Sequence, residues 1–547
     1  MHGADLLILL GVLIAATGLL VLAGRWSVPY PILLVVGGAL LGLVPGIPQV
    51  SVDPDLILLV ALPPLLYQAA FFRSLHELAQ NARPILSLSI GLVVATTAGV
   101  AAVAHHVAGM PWGTALILGA VLSPTDPVAA TAIASRVGAP RRYVTLVEGE
   151  SLANDGTGLT LYKLAVTAAV AGGVSLLDGA AAFLANAAGG IAIGVAAAWV
   201  LARVRSRIDD PPTEIVVSLL SPYVAYLPAE AAGVSAVLAT VTCGLLLGWH
   251  NASTVAPATR LQAFATWEVL VFALNTFIFV LIGISLSGVI DRIDQASLGH
   301  LARDAGAVLA TVILARFAWT YVVGALPWLI RARRARDRSG PPWREVFLVA
   351  FTGMRGAVSV AAALAVPLTT DSGAPLVGRD LLIFLTYVVV FATVVGQGLA
   401  LPPIIRRLYP EGAGGETDRE ELEARAAAAR AALARLDELG DDAGVTERTL
   451  RRLRELYEFR RDRFEARAAG DGRQELEQGS RAYQRLRQDL LRRERDAIIR
   501  LRRQGRITDD ALHRVEHDLD LDETRLELSE GMGPHGSSPL SLSDEET

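Results

Sequence analysis

Apolar residues run in long blocks from Leu6 to about Ile404, joined by short polar links. They show neither the alternation of a half-buried strand nor the one-sided stripe of a surface helix. A helix needs about 20 apolar residues to cross a bilayer, and most of the blocks reach that length. The pattern predicts thirteen spans: 4–23, 28–46, 56–72, 84–107, 113–134, 144–172, 180–202, 213–228, 231–248, 266–288, 305–329, 344–367 and 380–405. Past residue 410 the blocks stop, and Arg, Glu, Asp and Ala take over. There Leu450, Leu453, Leu456 and Tyr457 recur at helical spacing, so amphipathic helices are expected near 417–438, 446–469, 472–504 and 508–530. The expected organisation is an all-α polytopic membrane domain at 1–409 and a cytoplasmic helical domain at 410–530, linked by EGAGG (411–415). A disordered tail is expected at 531–547.

Composition agrees with the pattern. The chain is 52% hydrophobic and 19% charged, with a mean hydropathy of +0.44, too apolar for a soluble protein of this size. The net charge of -5 mixes two solvents and says little. Cys243 is the only cysteine, so no intrachain disulfide can form. The first span lacks a basic leader and a small-residue cleavage site, and is expected to be retained.

Charge adds an orientation. Links after odd-numbered spans carry Arg25; Arg73 and Arg83; Arg136, Arg141 and Arg142; Arg203, Arg205 and Arg207; Arg260; Arg331, Arg333, Arg334, Arg336, Arg338 and Arg344; and Arg406 and Arg407. Links after even-numbered spans carry only Arg292, Arg303 and Arg379. The positive-inside rule then puts the N-terminus outside and the C-terminus in the cytoplasm of a plasma (inner) membrane.

Charges inside the bilayer are costly and mark function by default. Five stand mid-span: Asp126 in SPTDP (123–127), Glu150 and Asp155 in EGESLAND (148–155), Arg316, and Arg355 in FTGMRGA (351–357). Five residues turn a helix by about 500°, so Asp155 points roughly 140° away from Glu150 and the two cannot share a partner. Arg316 is the fork-shaped partner expected for Glu150, which leaves Asp155 as the free carboxylate. Pro124 and Pro127 break the fifth span, and Gly353 and Gly356 weaken the twelfth. Such breaks persist at membrane depth only where they are buried in protein or line a cavity. Spans 1–6 and 8–13 form two six-helix units of opposite topology, so the breaks fall in corresponding halves, a pointer to a transporter site. Asp126 is expected to compensate the positive ends of half-helices and Arg355 the negative ends. Structural readings stand beside these, since an intramembrane Glu150–Arg316 pair can be scaffolding alone. Lys163, the only lysine, reads as a snorkelling residue near the outer face, and His105 and His106 as solvated at a helix end. Glu148 is expected at the inner mouth of the cavity.

These residues resemble the bacterial sodium/proton antiporters of the monovalent cation:proton antiporter-1 family, related to animal sodium/hydrogen exchangers. The resemblance covers nearly all of residues 5–410. It rests on PYPILLVVGGALLGLVPG (29–46), LPPLLYQAA (62–70), SPTDPVAATAI (123–133), EGESLANDGTGLTLYK (148–163), FALNTFIFVLIGISL (272–286), FTGMRGAVSVAAAL (351–364) and VVGQGLALPPIIRRL (394–408). It implies a transporter, not an enzyme, with thirteen helices in two inverted repeats and a core of helices 4–6 and 11–13 beside a dimerisation unit. The implied assembly is a homodimer. Asn154 and Asp155 match the family's Asn-Asp motif, where the aspartate takes ion or proton. Thr125 and Ser151 match positions that lend oxygens to the ion, so Na+ would sit among Asp155, Thr125 and Ser151. Glu150 and Arg316 match a stabilising ion pair. Gln68 departs from the pattern, standing where many relatives carry a carboxylate.

The expected function is antiport of Na+, with Li+, against H+ by alternating access. It is expected to be electroneutral because Asn154 is neutral and one carboxylate carries either cargo. The resemblance suggests pH homeostasis or salt tolerance as the cellular role. K+/H+ exchange on the same fold is the main alternative. A cation channel fits broken helices with buried opposite charges less well. An intramembrane aspartyl protease would need Gly-x-Gly-Asp where Asn154 precedes Asp155. No phosphate loop, metal cluster or nucleotide fingerprint occurs in the sequence, so no cofactor beyond the transported ions and no nucleic-acid partner is expected.

Overall fold

The structure, a computed structural model, describes residues 29–43, 54–171, 176–208, 210–291, 298–334, 343–410, 415–439, 446–469, 474–504 and 506–530, with six positions between 11 and 21. The expected first span lies almost wholly outside the described residues. So do Arg25, Arg292, Arg336 and Arg338, most of the EGAGG link and the tail at 531–547. The chain divides into two compact units, Met1–Glu411 and Gly412–Thr547.

The described residues of the first unit are helical almost throughout. Its helices are α1 (Tyr30–Gly42), α2 (Pro54–Phe71), α3 (Leu75–Gln80), α4 (Ala82–His106), α5 (Trp112–Leu122), α6 (Pro127–Val137), α7 (Arg141–Ala171) and α8 (Leu176–Arg205). They continue with α9 (Pro211–Ala231), α10 (Ala236–Thr254), α11 (Pro257–Asp291), α12 (Leu298–Arg334), α13 (Trp343–Phe351), α14 (Ala357–Leu364) and α15 (Arg379–Leu408). Among the described residues, six stretches are long and apolar enough to cross a membrane: Ala82–His106, Trp112–Ala134, Asp178–Arg205, Thr259–Ser285, Leu298–Val322 and Arg379–Leu408. The described parts of the later expected spans fall on α1 to α15, the fifth span on both α5 and α6 and the twelfth on both α13 and α14.

Three details differ from the sequence reading. The short helix α3 occupies what reads as a link, because Ser74 caps it by accepting a hydrogen bond from the Glu77 amide at 3.3 Å. The twelfth span, expected to be interrupted near Gly353 and Gly356, is divided there into α13 and α14, but the second ends at Leu364 rather than 367. Both α4 and α15 contain a π-helical turn, at Ser87–Leu92 and Thr393–Gln397, that no apolar periodicity reveals.

The largest core joins α4, α5, α11, α12, α14 and α15 around residues such as Leu118, Leu122, Phe279, Val312 and Val390. Lipid supplies no hydrophobic drive between helices, so close backbone approach must do that work. Helices α1 and α11 show it. A Cβ on Gly38 would lie 2.5 Å from the Val280 carbonyl oxygen, and one on Gly283 would lie 2.4 Å from that of Val35.

The second unit holds α16 (Gly415–Leu439), α17 (Glu447–Ala468), α18 (Gln474–Arg503) and α19 (Asp509–Glu530). Helices α16 and α17 pack together, burying Ala426, Ala429 and Phe464. Leu453 and Leu456 of the amphipathic pattern lie outside that seam, 37% and 50% exposed. Small alanines let α16 approach closely, so the seam runs through Ala426 and Ala429 instead. Helices α18 and α19 meet through Leu491, Leu519 and Leu526, with Arg495 bonded to Asp520 at 2.6 Å and Glu523 at 2.7 Å.

Candidate functional site

Two breaks in helix create the site. Proline lacks the amide needed to continue the ladder of α5, so the chain leaves helix after Leu122 and passes through Ser123–Asp126. Pro127 then starts α6 at a position where no amide is needed, and Asp126 caps it by accepting from the Val128 amide at 2.9 Å. The second break runs from Thr352 to Gly356 between α13 and α14. The two segments cross in contact, with the Asp126 amide donating to the Met354 carbonyl at 2.8 Å.

Each break exposes helix ends, and one charge answers each kind. The Asp126 carboxylate sits at the positive start of α6, and the Ala357 amide at the start of α14 also bonds to it. Gly356 makes this possible: a Cβ there would lie 1.7 Å from Asp126 Oδ2. Arg355 sits at the negative ends. Its Nε donates to the Leu122 carbonyl at the end of α5 at 2.9 Å, and its guanidinium also donates to the Gly353 carbonyl. Its own amide donates to the Thr393 hydroxyl, within the π turn of α15, at 3.1 Å.

Helix α7 presents its carboxylates to different surroundings. Glu150 takes both arms of the Arg316 fork, at 2.5 and 2.8 Å, and both side chains are 1% exposed. Arg316 Nε also donates to the Val349 carbonyl at 3.0 Å, tying α7, α12 and α13 together. Thr125 donates its hydroxyl to Glu150 at 3.2 Å and accepts from Asn154 Nδ2 at 2.8 Å. Asn154 is fully buried behind the cavity wall and steers Thr125. Asp155 is buried but makes no hydrogen bond or ion pair among the described residues.

Asp155 instead lines a cavity of about 80 Å³. Thr125, Asp126, Ser151 and Ser359 line it as well, with Leu62, Leu65, Leu66 and Ala69 of α2 and Asn275, Ile278 and Phe279 of α11. The α2 side is therefore apolar, and Gln68 is not part of the lining. Among the described residues no cluster of three His, Cys, Asp or Glu could hold a multivalent metal. Asp126 is committed to the Val128 and Ala357 amides, which leaves one uncommitted carboxylate with hydroxyl neighbours, a set that suits a single hard monovalent cation or a proton.

Other charges are paired in ways the sequence did not disclose. Glu148, expected at an inner mouth, is held by Arg73 at 2.5 Å. Glu77 pairs with Arg141 at 2.5 Å, and Arg205 with Glu214 at 3.2 Å in a largely buried bridge. Lys163 reaches Glu230 at 2.9 Å on an exposed face. His105 stacks on Trp112, ring centroids 4.3 Å apart, and its Nδ1 meets the Met110 carbonyl. Asn275 and Ser359 had no signal in the sequence, since a single polar residue in an apolar helix does not declare its direction.

A model of the sodium/hydrogen exchanger transmembrane family matches residues 12–407. An uncharacterized Na+/H+ exchanger of Mycobacterium tuberculosis is 36% identical over 512 residues, covering 92% of this chain and 93% of that protein. A protein of Bacillus pumilus described as a sodium, potassium, lithium and rubidium/H+ antiporter is 32% identical over 386 residues, covering 69% of this chain and 57% of that protein. Among solved structures, the sodium proton antiporter MjNhaP1 of Methanocaldococcus jannaschii superposes with a TM-score of 0.58 at 18% identity, covering 74% of this chain and 99% of that one. That likeness shows the fold.

Proposed function

The chain belongs to the sodium/hydrogen exchanger family, and from that premise we propose that it exchanges Na+, and also Li+, for H+ one for one by alternating access, with Asp155 as the carrier. The observation that supports this is the contrast along α7: Glu150 is fully paired with Arg316, while Asp155 has no partner among the described residues and lines the cavity.

The coupling follows from solvation. An ionised carboxylate without a partner is costly away from water. Asp155 therefore moves across the membrane only when it holds a proton or a cation, and the empty anionic form stays with its water. One carboxylate holds one of the two, so each turnover trades one positive charge for another. Ser151 and the free lone pair of Thr125 add oxygens around the cation. Asn154 contributes by orienting Thr125. The crossing of the two breaks, with Asp126 and Arg355 answering the helix ends, keeps unwound backbone stable at membrane depth.

The same reading includes thirteen spans in inverted repeats, an outside N-terminus, a cytoplasmic C-terminal domain and a homodimer, with no cofactor. The cellular role it implies is pH homeostasis or salt tolerance. The Bacillus relative's description favours testing K+ beside Na+. Proteoliposomes loaded with a pH indicator should show proton flux driven by Na+ and Li+ gradients, lost in Asp155→Asn and unaffected by an imposed membrane potential. Flux that survived the substitution would remove Asp155 as carrier, and flux that followed the potential would refute one-for-one exchange.

A further inference from the structure

The cavity has two unlike sides. Thr125, Asp126, Ser151, Asp155 and Ser359 make one side polar. The other, from α2 and α11, is Leu62, Leu65, Leu66, Ala69, Ile278 and Phe279, interrupted by one polar residue, Asn275. Asn275 is 6% exposed and makes no hydrogen bond among the described residues. A buried amide left unmet costs about 1–3 kcal/mol, and leucine, of similar size, would have continued the apolar wall at no such cost. What meets the amide must therefore lie in the cavity.

We propose that Asn275 is a specificity-determining residue of the exchange, its side-chain carbonyl offering the α11 wall's neutral oxygen to the cation held at Asp155. This deepens the function proposed above and rests on it. The oxygen count supports it. Away from α2 and α11 the cation can meet the Asp155 carboxylate and the hydroxyls of Ser151 and Ser359, while Asp126 is committed to the Val128 and Ala357 amides. Thr125 adds one lone pair, because its proton is committed to Glu150 and its other lone pair to Asn154. A hard cation that has shed water needs several oxygens, and Asn275 supplies one from the facing wall. A neutral oxygen on a different helix fixes the span of the site, so it discriminates cations by radius. A proton needs no such shell and is indifferent to it.

The test measures cation-driven proton flux in proteoliposomes with full-length protein, using Na+, Li+ and K+ for the native chain, Asn275→Leu, Asn275→Ser and Asn275→Asp. Asn275→Leu should raise the Na+ KM about tenfold, the loss expected for one ligand oxygen to a charge. It should also change the Na+ to K+ ratio of kcat/KM, while leaving the pH dependence of flux at saturating cation in place. Asn275→Ser, which keeps an oxygen, should recover most of the Na+ affinity. Should Asn275→Leu fail to fold, Asn275→Asp keeps the shape, and tighter cation binding with flux that responds to membrane potential carries the same conclusion. Unchanged cation ratios in the folded variants, with native flux intact and lost in Asp155→Asn, would overturn the role of Asn275 alone. Absence of cation-driven flux in the native protein would instead sink the exchange reading itself.

Discussion

Removing either member of the Glu150–Arg316 pair should destabilise the protein, whereas removing the charge of Asp155 should not. The pair is 1% exposed on both sides and held by two short bonds, with further bonds from Arg316 to the Val349 carbonyl and from Thr125 to Glu150. Arg316→Leu leaves Glu150 ionised among apolar groups, and Glu150→Leu strands the guanidinium. Each should cost about 3–5 kcal/mol, the usual penalty for breaking a buried pair. Replacing both at once removes the stranded charge, and the double variant should be less damaged than either single one. Asp155→Asn takes away a carboxylate with no partner among the described residues, so stability should hold or rise. Thermal unfolding in detergent, followed by size-exclusion recovery, reads all four. Single variants as stable as Asp155→Asn, or a double variant showing the sum of the two losses, would refute the assignment of Glu150 as scaffold and Asp155 as carrier.

Gly356→Ala should prevent folding or release the Asp126 cap, because the added Cβ would lie 1.7 Å from the carboxylate, and normal recovery with normal flux would contradict that packing. Asn154→Ala frees the Thr125 hydroxyl from its 2.8 Å donor and should raise the cation KM by up to about tenfold, the worth of about 1 kcal/mol or slightly more, so an unchanged KM would break the link from Asn154 through Thr125 to the cation. Lys163→Ala removes an exposed pair with Glu230 and should alter stability by less than about 1 kcal/mol with flux unchanged, as a calorimetric scan and a flux assay would show.

Much of the frame was legible because membrane burial makes each charge and each break expensive. Asp126 and Arg355 stood out as midplane charges beside Pro124, Pro127, Gly353 and Gly356, and the structure sets them at opposite ends of broken helices. The turn of roughly 140° between Glu150 and Asp155 is enough to give them different surroundings. Helix α7 is also where apolarity alone is a poor guide. It carries Glu148, Glu150, Asp155 and Lys163, and it is absent from the six stretches apolar enough to cross by composition. What stayed hidden depends on pairings far apart in the chain. No spacing rule joins Arg73 to Glu148 or Asp126 to Met354. Asn275 is one polar letter in FALNTFIF, and its value lies in the wall it interrupts. In the second unit helical periodicity locates an apolar stripe without saying which partner, if any, covers Leu453 and Leu456.

The central claim is that one carboxylate holds either a proton or a cation. It is tested most directly by titrating purified protein with Na+ in weakly buffered solution, at a pH where the unloaded protein is protonated, and counting released protons against bound sodium. One proton should be released for each sodium bound, and Asp155→Asn should show neither binding nor release. Sodium binding without proton release, or release that persists in Asp155→Asn, would contradict it.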